Sequence, residues 1–194
     1  LADEAEVVVS AAYNSLTQLG DTVVDVLVAE ITTAVSAVLE KATECLVAIG
    51  QPAVGELIDA VLDRTTPNRG AAIAALTLIN PVNITDHLIA WLVDSDELVR
   101  AAAAQGLAAL QFEPALPVLL DGIDQDSEIS REARLEAICS FGDIAVPLLI
   151  ERMGDPVWAN SPALAHALAS LGSIIEETIL EMLDHPEARR RLLA

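Results

Sequence analysis

Asp94-Ser95-Asp96-Glu97-Leu98-Val99-Arg100-Ala101-Ala102-Ala103-Ala104-Gln105-Gly106-Leu107-Ala108-Ala109-Leu110 is a stretch built largely from alanine and aliphatic residues. Ala103, Leu107 and Leu110 are four and three residues apart, the spacing that gathers side chains on one side of an α-helix. Downstream, Pro114 and Pro117 open a second apolar segment centred on Leu119, at positions where a missing backbone N–H costs little. The segment predicts a helical hairpin: an A helix ending near Leu110 and a B helix through Leu119.

The same hairpin recurs in both directions. The A-helix residue Leu107 has counterparts in Leu16, Leu46, Leu76, Ile138 and Leu168, at intervals of 30 or 31 residues. Four residues earlier stand Ala12, Ala42, Ala72, Ala103, Arg134 and Leu164; three later come Leu19, Ile49, Ile79, Leu110, Phe141 and Leu171. The B-helix series is Leu27, Leu57, Leu88, Leu119, Leu149 and Ile179, at intervals of 30, 31, 31, 30 and 30. Apolar residues also fill the positions four before, one after and four after each of them, ending at Ile31, Val61, Leu92, Ile123, Met153 and Leu183. A hairpin of this length cannot bury both stripes alone, so neighbours must cover it and the chain grows as a repeat array.

Glycines and prolines mark the boundaries of the register. Gly20, Gly50, Gly142 and Gly172 directly follow the last apolar residue of an A helix, where a left-handed backbone suits glycine. Pro52, Pro81, Pro114, Pro117 and Pro147 open B helices, while Pro67, Pro156, Pro162 and Pro186 open A helices. Thr66 and Ser161 are expected as N-caps, and Asp126 or Ser127 as the cap of the fifth A helix. The reading gives one array over residues 1–194 with repeats near 4–33, 34–64, 65–94, 95–125, 126–155 and 156–185. A further helix would start at 186–194. The absence of Met at position 1 and this late helix start point to a piece of something longer.

The run from Asp94 to Leu110 resembles the HEAT repeat of the phycobilisome-lyase type, with its Asp, Val-Arg, alanine-rich helix and closing Leu-Gly. The resemblance extends over nearly the whole chain: it recurs as Asp63 with Arg69, and more loosely as Asp124 with Arg131, followed by Ala133, Ala137 and Phe141-Gly142. It implies an all-α fold, a right-handed α-α superhelix of about six two-helix repeats, with a ladder of Asp63, Asp94, Arg69, Arg100 and Arg131 along the stack. Repeats one, two and six lack the Arg. Proteins similar to it include scaffolds, assembly factors, bilin lyases and a metal-dependent hydroxylase, so the resemblance specifies the fold more than the function.

Composition narrows the function. Acidic residues outnumber basic ones 30 to 10, giving a formal charge of −20, and Lys41 is the one lysine. A phosphate backbone would be repelled, which excludes nucleic-acid binding through a basic groove. The acidity reads either as adaptation to a salty cytoplasm or as a face made for a cationic partner. No stretch of about 18 residues is free of charge and turn signals, so no membrane span is expected. Cys45 and Cys139 lie three repeats apart, beyond disulfide reach at about 8 to 10 Å per helix layer, and read as core residues in a reducing, cytoplasmic setting.

Catalytic signals are missing. His87, His166 and His185 are followed by Leu88, Ala167 and Pro186, not by the Glu that an iron site of this fold would use. An EF-hand loop begun at Asp124 would need glycine and glutamate where Ile129 and Leu135 stand. No cofactor or metal is expected, and the chain is read as non-catalytic. The remaining candidate is the exposed side of the B helices. Asp25, Asp59, Asp86, Asp121, Glu151, Glu177 and Glu181 stand two residues from the key aliphatic position, with Trp91, Arg152 and Met182 three residues beyond it. Trp91 is expected as an aromatic anchor on this acidic ridge, although it and Trp158 would equally fill gaps between layers. The reading is a protein-interaction scaffold or adaptor whose partner carries a basic segment. The alternatives are a bilin lyase or isomerase, signalled by a bound chromophore, and a regulatory module of a larger protein.

Overall fold

The computed structural model describes residues 4–33, 37–158, 160–172 and 175–176. Among them there is no strand, and the fold is an all-α helical repeat of the solenoid class. The chain divides into two compact units, Leu1–Leu88 and Ile89–Ala194.

In the first unit the A helices are α1 (Glu4–Leu19), α3 (Ala37–Ile49) and α5 (Arg69–Ile79), and the B helices are α2 (Val24–Thr33) and α4 (Val54–Leu62). A helices pack on A helices, α1 on α3 and α3 on α5, while α2 packs on α4 and each B helix packs on the A helix that follows it. Leu46, Leu57, Ile73 and Leu76 are fully buried, and Leu27 is nearly so. Each such side chain removed from water contributes about 1.5 to 3 kcal/mol. Leu19 departs from its expected core position and is 53% exposed.

Helix α6 (Ile84–Trp91) contains the division between the units. In the second unit the A helices are α7 (Glu97–Ala109), α9 (Glu128–Ser140) and α11 (Pro162–Leu171), and the B helices are α8 (Leu116–Leu120) and α10 (Val146–Met153). The closest association is α7 against α9; α9 also packs on α11, α8 on α9 and α10 on α11. Leu107, Leu119, Ile123, Ile138 and Leu149 are fully buried. The eighth helix is shorter than the register implies, because Gly122 takes a left-handed conformation at φ 76 and Ile123 enters the core from a following 3-10 turn. Met153, expected inside, is 48% exposed.

The turn signals largely hold. Gly20, Gly50, Gly142 and Gly172 all have positive φ, and in the third and fourth repeats Asn80 and Gln111 supply the left-handed residue that glycine supplies elsewhere. Ser161 caps α11 through Leu164 N at 3.0 Å, and Ser127 caps α9. Thr66 does not cap α5. That helix starts two residues past Pro67, and Asn68 accepts from Ala71 N instead.

Candidate interaction surface

A B-helix residue two positions from the key leucine lies about 200° around the helix from it and faces away from the core. In the first unit Asp25, Asp59 and Asp86 are accordingly exposed. In the second unit Asp121 and Glu151 are exposed too. Glu177, Glu181 and Met182 lie outside the described residues.

Three positions along is a different matter, because i and i+3 share a helix face. Trp91 stands there relative to Leu88 and is only 6% exposed. It therefore belongs to the core as a packing residue, the second of the two roles expected for it, and not to the exposed ridge. Arg152, three beyond Leu149, is 27% exposed. Its Cζ lies 5.7 Å from the centre of the Trp158 ring, and one Nη is 4.0 Å from the Asp121 carboxylate. This cation-over-ring contact covers the guanidinium and gives the acidic ridge of the second unit a partly neutralised end.

The second unit also holds a polar centre that the sequence did not reveal. Asp126, 6% exposed at its side chain, accepts from Arg100 Nε at 2.8 Å, Ser130 Oγ at 2.7 Å and Ser127 N at 2.9 Å. Arg134 Nε approaches its other oxygen at 3.0 Å. Burial pushes the Asp126 carboxyl up, but the Ser130 and Arg100 hydrogen bonds and the Arg100 charge outweigh it, so the group is held below its ordinary value. Arg134 is 4% exposed and donates to the carbonyls of Val118, Leu119 and Asp121 at 3.0 to 3.3 Å, and to that of Leu92. Those carbonyls lie at or just past the ends of B helices, where the final C=O groups have no partner within the helix.

Two other arginines act similarly. Arg69 reaches the Val61 carbonyl at 3.1 Å, and Arg100 reaches that of Asp94 at 2.8 Å. The expected ladder residue Arg131 is half-buried and does not touch Asp126; Arg134, three residues later on the inward face, takes its place. The clue was present in the register, since Arg134 occupies a slot that Ala or Leu fills in every other repeat. Asp63 turns back on Thr65, whose N and Oγ1 donate to it at 2.9 and 2.8 Å, and these contacts lower its carboxyl pKa.

Cys45 and Cys139 are free thiols, and burial pushes both thiol pKa values up, the condition of packing residues and not of activated nucleophiles. Among the described residues no three His, Cys, Asp or Glu side chains gather closely enough to hold a metal ion. No single helix there is long and apolar enough to cross a membrane; the pair Leu39–Ile49 and Gln51–Leu62 is apolar enough together but is bent by 112°.

Residues 56–139 match the family model of HEAT repeats. The matched stretch runs from within α4 through almost all of α9, and so includes Arg69, Arg100, Asp126 and Arg134. No curated protein matches the chain.

Proposed function

We propose that the protein is a non-catalytic interaction scaffold that receives a basic segment of a partner protein on its acidic B-helix surface. The carrying observation is the exposure of the carboxylates two residues from the key leucines, Asp25, Asp59 and Asp86 in the first unit and, in the second, Glu151 and Asp121, the latter just past the end of α8. HEAT repeats commonly serve protein–protein interaction, and the match over residues 56–139 supports that class. Electrostatic attraction to a formal charge of −20 would accelerate encounter with a cationic partner and repel nucleic acid. On this reading the repeat register over 1–194 is one array of the phycobilisome-lyase HEAT type, working in a reducing, salt-rich cytoplasm where carboxylates keep the surface hydrated.

The test is affinity capture from the native host at its own salt, comparing the wild-type chain with one carrying Asp59→Asn, Asp86→Asn and Asp121→Asn. A partner with a basic segment retained by the wild type and lost by the triple variant is the expected result. Equal capture by both would overturn the assignment of the surface, and a covalently held chromophore on the purified protein would overturn the non-catalytic reading.

A further inference from the structure

We propose that the groove between α7 and α9, on the A-helix layer of the second unit, docks a cationic amphipathic helix of another protein. This site is separate from the B-helix carboxylates. The groove has a volume of about 310 Å³ and is lined by Ala101, Gln105, Ile129, Glu132, Ala133 and Glu136. Ala101 and Ala133 are buried at 7% and 5% exposure and make its floor. A larger residue at either position would close it.

Ile129 lines it, and Leu98 stands one turn before Ala101 on α7. Leu98 and Ile129 are 50% and 47% exposed, and each stands nine residues before the key A-helix residue of its repeat, Leu107 or Ile138. The corresponding residues in the second, third and sixth repeats are Ala37, Pro67 and Ala159, and the first repeat has the smaller Val7. Leucine and isoleucine therefore occupy this position only in the two repeats whose A helices bound the groove. Leu98, Ala101 and Gln105 share a face of α7, and Ile129, Glu132, Ala133 and Glu136 share a face of α9.

Charge selects the occupant. Glu132 and Glu136 are exposed and one turn apart, and no Lys or Arg lines the groove. The volume lies at the lower end of the range for binding pockets, so it suits one or two aliphatic anchors rather than a large cofactor. A helix carrying a Leu, Ile or Met with Lys or Arg a turn away would set the anchor on the alanine floor and the cations on the two glutamates. A second copy of this chain brings the same −20 charge and would be repelled.

The test is selection of a displayed random peptide pool on the full chain at about 0.15 M salt, where charges more than about 8 Å apart are largely screened. Enriched peptides are expected to pair aliphatic residues with Lys or Arg at helical spacing. Their affinity should fall at least about tenfold for Glu132→Lys with Glu136→Lys, and similarly for Ala133→Trp, while Glu113→Lys with Asp143→Lys, at exposed carboxylates outside both surfaces, leaves it unchanged. The glutamate variants are on the surface and keep the test valid if the tryptophan variant does not fold. Absence of enrichment, or binding indifferent to the groove variants, would overturn the proposal. So would loss of binding with Asp121→Lys and Glu151→Lys, which would instead favour the B-helix surface. A dimer in sedimentation that Ala133→Trp dissociates would give the groove to a second copy, and would also overturn it.

Discussion

The two units carry the same aliphatic register, and in the second a buried carboxylate shared by two arginines is added to it. In the first, α2 to α5 meet through Leu27, Ile31, Leu46, Leu57, Ile73 and Leu76, and the buried charge there is Arg69 at the end of α4. In the second, α7 and α9 are joined through a buried carboxylate, Asp126, shared by Arg100 and Arg134, and Arg134 also caps the ends of preceding B helices. Apolar seams tolerate changes that keep volume and shape. A buried ionic cluster loses several kcal/mol when one member is removed, because the remaining charges stay buried without compensation. Loss of the shared carboxylate should therefore be severe in the second unit, while loss of one methylene group from the buried row should cost about the same in either.

The largest effect should come from placing a charge in the buried aliphatic row of either unit. Leu57→Asp in the first unit and Leu119→Asp in the second each bury an unpaired carboxylate at a fully enclosed position, at a cost above about 5 kcal/mol, near a domain's whole stability. Helical circular dichroism and melting should both collapse, and retention of both would refute the register. Next, Asp126→Ala should cost about 3 to 5 kcal/mol in denaturant titration, because it leaves Arg134 buried without its carboxylate. A loss within about 0.5 kcal/mol, typical of a surface change, would remove the distinction between the units.

Salt sharpens the same contrast more gently. Raising ionic strength from low to about 1 M shrinks the Debye length to about 3 Å and relieves self-repulsion of the exposed carboxylates, so the melting temperature should rise. The buried Asp126 contacts are little screened, and Asp126→Ala should show the same salt dependence from a lower starting point. A flat wild-type response would remove the halophilic reading. Smallest of all is Lys41→Ala: its pairing with Glu44 at 2.8 Å is exposed on both sides, and melting should not change measurably.

Aliphatic spacing was enough to identify every described residue of the B-helix leucine row, because burial of identical residue types at a fixed interval leaves a periodic trace. Exposure of Asp25, Asp59 and Glu151 followed from the same geometry. For Trp91 the sequence left anchor and gap filler both open, although its i+3 relation to Leu88 already placed it on the buried stripe. The Asp126 cluster was less legible still. Arg134 is separated by eight residues from Asp126 and by 42 from the Leu92 carbonyl it reaches, and only tertiary packing brings such groups together. A charged residue in an apolar slot was the available signal. The α7–α9 groove left no periodic trace, being defined by what alanines fail to fill.

Amide hydrogen exchange followed from neutral pH down to about pH 2 tests the contrast between the units most directly. The carboxyl of Asp126 is held below its ordinary value in the folded state, so its stabilisation is complete above the unfolded value of about 3.9 and is lost as pH falls through the folded one. After correction for intrinsic exchange, amides of α7 and α9 should lose protection in that window while those around Leu46, Leu57 and Leu76 keep theirs. Parallel loss in the two units, or earlier loss in the first, would contradict the assignment of Asp126 as the staple of the second.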